Sequence, residues 1–362
     1  MRGIATVYGH AEWAKHKSSW RHARHMKTIL SSPVVVAIGP PAVVCTLIAV
    51  FVSVFNHEVS EGHLPHWVPL LHVAPLPFSL TSAVLSLLIV FRTNSSYNRY
   101  DEARRAWGST TNRIRDLSRQ VLSWIQKPAD LHNLHCLLRH IKAFSYCLKD
   151  HMLEANLLRE ELLEVLNDPQ EVDSILGSDH RPNYVLQLLA HILKQCHVSE
   201  WERLSMDRNI TQFHDNVGAC ERIFKTPIPV AYTRLTSRVL FIWHIFLPFA
   251  LIDSCGWLTA PATFLSAAAL FYIEEVGVLI EEPFSILPLL AICDSNFSSI
   301  DGLLTAHLAI RKLFCTQPRE PTACGDHVVV TVLEGSRSCT LDRAIREQDT
   351  GVNTFKRVNS VS

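Results

Sequence analysis

Three stretches of this 362-residue chain carry almost no charge, and they constrain its fold more than any other feature. Residues 28–57 are 30 consecutive positions without Asp, Glu, Lys or Arg, residues 62–91 are another 30, and residues 239–273 are 35 broken only by Asp253. About 20 apolar residues suffice to cross a bilayer, so each stretch is long enough. Charged residues make up only 19% of the chain, against about 25% in a typical soluble domain. The deficit is local, because residues 92–238 are charged throughout. This pattern excludes an ordinary cytosolic enzyme, a disordered tail protein and a basic nucleic-acid binder, and it argues against a many-spanning transporter. It predicts an all-α membrane protein with two helical hairpins, four transmembrane helices in all, and a large polar helical domain.

The chain divides accordingly. Residues 1–33 form a basic N-terminal segment, with Arg2, Lys15, Lys17, Arg21, Arg24 and Lys27 against Glu12, and with Tyr8, Trp13 and Trp20. That mixture suits a helix lying on a membrane surface, and no transit peptide is evident in it. Residues 34–91 are a first transmembrane hairpin. Gly39-Pro40-Pro41 interrupts its first run, since an internal proline kinks a helix. Pro65, Pro69, Pro75 and Pro77 crowd the start of its second run, and Phe78–Phe91 reads as continuous helix. Both outer flanks are basic and the short loop holds Glu58 and Glu61, so both ends belong on the cytosol-like side. Residues 92–238 are read as a helical domain with segments Asp101–Gln126, Asp130–Leu166 and Tyr184–Phe224, from apolar positions at helical spacing. Residues 239–282 are a second hairpin that exits at Glu274, Glu275, Glu281 and Glu282. Residues 283–316 hold an apolar stretch too short to span and an amphipathic helix. Residues 317–362 are a polar tail in which Val328–Leu333 is a possible strand.

No chemistry-bearing motif stands out. The ten cysteines form no CxxC pair, and no phosphate loop, nucleophile elbow or metalloprotease motif is present. His132, Cys136 and His140 share a helix face, yet a zinc site wants four ligands, and a polar helix face explains them better. The Glu274–Glu282 carboxylates fit a solvated helix end better than a proton or cation site, though a coupled transporter remains one reading and a membrane scaffold another. No cofactor, metal or nucleic-acid partner is expected.

The pattern that carries most weight lies in the second run. Leu76, Leu80 and Val84 fall at i, i+4 and i+8 and form an uncharged, non-aromatic stripe, with small Ser79, Ser82 and Ser86 beside it. Arg92, Arg99 and Arg105 follow. An apolar constriction above a basic vestibule suits an anion pathway. A packing stripe with positive-inside arginines explains the pattern equally well.

Several separated motifs then resemble the bestrophin family. They are Pro77-Phe78-Ser79-Leu80; the run from Phe91-Arg92-Thr93-Asn94 to Arg105-Ala106-Trp107-Gly108; Thr226-Pro227-Ile228-Pro229; and Ile280-Glu281-Glu282-Pro283-Phe284. The resemblance spans roughly residues 19–297 and is nearest to the plant thylakoid branch of the family, the voltage-dependent chloride channels. It implies a homopentameric channel for chloride and other small anions. Four membrane helices and a stromal helical domain per subunit would be set in the thylakoid bilayer, where conduction would adjust the electrical part of the proton motive force. It also implies a pore neck at Leu76, Leu80 and Val84, flanked by Pro77 and Ser79, and a second constriction near Trp201–Ile210. Two departures stand out. The neck positions are aliphatic where animal members have aromatics. The acids that clasp calcium after the Pro-Phe motif are replaced by Ser285-Ile286-Leu287-Pro288-Leu289, so calcium gating is not expected.

Overall fold

The computed structural model describes residues 7–27, 33–153 and 157–314. The C-terminal tail, including Val328–Leu333, lies outside the described residues. Among the described residues every regular element is helical. Two short basic helices, α1 (His10–Lys17) and α2 (Arg21–Lys27), come first. The long apolar helices are α3 (Pro33–Ser60), α4 (Leu76–Trp124), α10 (Val230–Cys255) and α11 (Thr259–Glu281). Between α4 and α10 lie α5 (Leu131–Leu153), α6 (Leu158–Leu166), α7 (Pro169–Leu176), α8 (Arg181–Gln195) and α9 (Glu200–Lys225), and α12 (Leu289–Phe314) follows α11.

Among the described residues three segments are long and apolar enough to cross a membrane: Val34–Ser60, Leu76–Trp124 and Val230–Glu281. The third comprises α10 and α11, divided at Gly256–Leu258 by a short 3-10 turn that opens on Gly256 at φ 50°. Glycine adopts that left-handed region without strain.

The described residues form two compact units, those up to 109 with 216–291 and those of 110–215 with 292–314. In the first unit α3, α10 and α11 pack together. Val34, Ile38, Ala42 and Cys45 of α3, Leu85 and Ile89 of α4, Leu240 of α10, and Ala267 and Phe271 of α11 form its core. Despite Pro40 and Pro41, α3 is one helix. The buried side chains of α3 recur at three- to four-residue spacing, the period of one helix face. Its other face leaves Val36, Leu47 and Phe51 exposed.

The second unit packs the later turns of α4 with α5 to α9 and most of α12. Phe144 and Phe213 pack with ring centroids 4.6 Å apart and planes inclined at 50°. Asn209 gives its amide hydrogens to Asp116 Oδ2 and Gln120 Oε1 and accepts from Arg113 Nη1. Lys149 and Glu161 pair in the interior, and Lys142 Nζ meets Asp301 Oδ1 at 2.5 Å. The expected helix Tyr184–Phe224 is two helices. Ser199 and Glu202 form a reciprocal cap at the start of α9, the Ser-x-x-Glu signature of a helix N-terminus. Asp130 fixes the turn before it by accepting both the backbone N–H and the ring N–H of His197, each at 2.9 Å.

Candidate functional site

The stripe carried by the second apolar run lies on the first turns of α4. The prolines keep residues 64–75 irregular, as their crowding predicts, and α4 starts at Leu76, two residues before the expected helix at Phe78. Pro77 sits in the first turn, where a missing N–H breaks no intrahelical bond. The Pro75 carbonyl accepts from the backbone of Phe78 and Ser79, both at 3.1 Å. The approach is tied down from three sides. Asn56 brackets the Leu71 backbone with two hydrogen bonds, the Val73 N–H donates to the Phe249 carbonyl, and His72 Nδ1 meets Asp253 Oδ2 at 3.0 Å. Trp243 then donates its indole N–H to Thr81 Oγ1 and packs edge-on against Phe78.

Leu76, Leu80 and Val84 are 64%, 67% and 67% exposed on the isolated subunit. On the other side of the same helix Leu85, Ile89, Arg92, Ser96 and Ala103 are buried. At about 100° per residue the buried set centres roughly 150° around the helix from the stripe. The stripe therefore points away from the subunit's own core. Its neighbours add no free donors: Ser79, Ser82 and Ser86 give their hydroxyl hydrogens to the carbonyls of Leu76, Ser79 and Ser82. The face is apolar in hydrogen bonding as well as in composition.

The three arginines expected below the stripe are differently placed. Arg92 is 1% exposed and ion-pairs with Glu274, whose Oε1 also accepts from Ser237. Two of its guanidinium nitrogens, Nε and Nη2, have no protein partner. Arg99 donates to the carbonyls of Ile223, Thr226 and Glu281. It thus satisfies the orphan end of α9, as a cation at a helix C-terminus does. Arg105 is 80% exposed and paired with Asp101 at 2.7 Å. Of the three, only Arg105 lies in register with the stripe.

The remaining candidates are also taken up. Glu274 holds Arg92, and Glu281 accepts the Ile228 backbone N–H at 3.1 Å. These carboxylates thereby brace α4, α11 and the approach to α10. His140 donates to the Cys136 carbonyl, and His132 lies 3.5 Å from the Cys136 sulfur. Burial pushes the His140 imidazole below its ordinary value. After Phe284 the chain turns through Pro283–Ser285, burying Phe284, Leu287 and Leu289. That stretch offers hydrocarbon where a calcium ion needs six to eight oxygens. Trp201, at the start of the proposed second constriction, is 82% exposed on α9.

The Arg92–Glu274 pair escaped sequence reasoning, although a signal was present. An arginine that continues the buried 85–89–92–96 register needs an acid at the same depth, and α11 supplies one at its polar end.

Residues 12–301 match the family model described as Bacterial/Fungal Bestrophin protein. The chain is 39% identical over 312 residues to Voltage-dependent chloride channel 1, chloroplastic, of Arabidopsis thaliana, covering 86% of this chain and 76% of that one. It is 30% identical to a voltage-dependent anion channel-forming protein of Nostoc sp., covering 78% and 92%. Among solved structures, a mutant of a bacterial bestrophin homologue from Klebsiella pneumoniae superposes with a TM-score of 0.65 at 24% identity, over 74% of this chain and 98% of that one. That last likeness establishes the fold.

Proposed function

The chain belongs to the bestrophin family, and from that premise we propose that it is a channel rather than an enzyme. It conducts chloride and other small anions through a homopentameric pore. Each subunit contributes four membrane-crossing helices: α3, the first part of α4, α10 and α11. The neck is formed by five copies of Leu76, Leu80 and Val84, with Pro77 and Ser79 at its entrance. The names of the Arabidopsis and Nostoc relatives support the anion, and the chloroplastic label supports a thylakoid location. The basic flanks of the first hairpin support a stromal position for the helical unit. There the channel relaxes the electrical part of the proton motive force.

One observation carries this reading. The exposed stripe of α4 lies opposite its buried face, in a chain whose few membrane helices cannot enclose a pore alone. Copies of this chain set about one rotational axis would turn their stripes toward a shared centre, each copy meeting the next head to tail, the kind of contact that closes into a ring. An apolar neck gates by wetting, and it passes most easily the ions that shed water most easily.

Planar-bilayer recording of the purified protein under a potassium chloride gradient tests the proposal. Expected are single-channel currents that reverse near the chloride equilibrium potential, with nitrate and bromide at least as permeant as chloride. Absence of current, or reversal near the potassium potential, would refute it.

A further inference from the structure

If α4 lines the pore, its outward face continues past Val84. The helix is unbroken to Trp124. At about 100° per residue, Phe91, Asn94 and Asn98 fall within the same sector of roughly 80° as Leu76, Leu80 and Val84. Phe91 is 56% exposed, and both asparagines are exposed.

The charge on this face is already spent. Arg105 is paired with Asp101 and Glu102 with Arg222, while Arg92 and Arg99 project from the other side of the helix, held by Glu274 and by the end of α9. The serine hydroxyls of the neck are bonded to their own helix. Asn94 and Asn98 are different: among the described residues no group takes up their exposed amides. A carboxamide offers two N–H donors with no formal charge.

We propose that Asn94 and Asn98 form stacked rings of neutral donors at the inner end of the neck, and that these rings set the channel's preference for anions. The inference rests on the pore reading above. An anion leaving the apolar neck has lost part of its hydration, and the amide hydrogens replace it. Discrimination by neutral donors depends on contact, so added salt does not screen it. A charged vestibule acting through space weakens once the Debye length falls below about 10 Å, at about 0.1 M salt.

The test compares wild type, Asn94→Asp, Asn98→Asp, Asn94→Leu and Leu80→Ala by reversal potential at low and high potassium chloride. Asn94 and Asn98 are exposed polar positions, and size-exclusion elution of each variant establishes assembly. Replacing an amide by a carboxylate removes the donors and adds negative charge at nearly constant volume. Either Asp variant should lower the chloride-to-potassium permeability ratio at least tenfold. Asn94→Leu should cut anion conductance severalfold, and wild-type selectivity should be the same at both salt concentrations. Leu80→Ala should raise the open-state current. If Leu80→Ala changes the current while all three asparagine variants keep wild-type conductance and selectivity, the donor rings are refuted and the neck stands. If Leu80→Ala also has no effect, or the wild type carries no current, the pore assignment falls and the rings fall with it.

Discussion

Arg92→Ala should destabilise the subunit, with its effect on folding much larger than any effect on conduction. The arginine is 1% exposed, and Glu274 opposite it is 12% exposed. Removing one partner of a buried ion pair leaves the other charge without compensation, at a cost of about 3–5 kcal/mol. Glu274 would retain only the Ser237 hydroxyl. A unit of 150–250 residues loses about 2–4 °C of Tm per kcal/mol, so the melting temperature should drop by roughly 6–20 °C. The assay is thermal unfolding of the detergent-purified protein followed by tryptophan fluorescence, with size exclusion to score the surviving assembly. Glu274→Gln should be damaging too, because it strands the guanidinium. The double variant Arg92→Met with Glu274→Met should recover most of the loss, since an apolar pair of similar volume often replaces a buried ion pair at no net cost. The wild-type melt should respond little to salt, because a buried pair is weakly screened. An Arg92→Ala melt within a degree of wild type, with reversal potential shifted instead, would refute the reasoning and return Arg92 to the vestibule.

Two other outcomes follow from the same geometry. Calcium chelation should leave anion current intact, because Phe284, Leu287 and Leu289 fill the place after the Pro-Phe motif with buried hydrocarbon; current lost on chelation and restored by calcium, measured in the same bilayers, would contradict this. The helical unit should lose stability on acidification. Burial lowers His140 from its ordinary 6.5, so the unfolded chain binds the extra proton and stability falls as pH drops below about 6.5. Asp130, held low chiefly by its hydrogen bond from His197, adds a second loss only below about pH 4. His140→Gln should flatten the upper phase of a Tm-against-pH curve, and an unchanged curve would count against the assignment.

The membrane helices were legible because an uncharged run of 30 residues has few alternatives. The stripe on α4 was legible because i, i+4, i+8 spacing needs no knowledge of neighbours. The arginines were harder. Arg92, Arg99 and Arg105 look alike in sequence, and their surroundings are set by which side of α4 meets α10 and α11. Leu85 and Ile89 define that side, and counting from them puts Arg92 inward. The start of α4 was legible to within two residues, because residues 64–75 are as apolar as a spanning helix but their prolines forbid one. The division between α8 and α9 was written in Ser199 and Glu202, and a helical periodicity running on across Cys196 hid it.

The ion pair between α4 and α11 also bears on how the protein is made. Arg92 and Glu274 are 182 positions apart in the chain. At about 5–20 residues per second, the ribosome needs roughly ten to forty seconds to deliver the acid after the arginine. Throughout that interval the nascent α4 carries a cation at the edge of the hydrocarbon with nothing to neutralise it. Its long side chain can hold the charge at the headgroups, and insertion of α4 ahead of α11 would leave the helix without its buried partner. Arrival of α11 would then supply the acid that Arg92 meets in the folded chain. A chain truncated before Glu274 keeps every apolar residue of α4 and still lacks the one group that seats it.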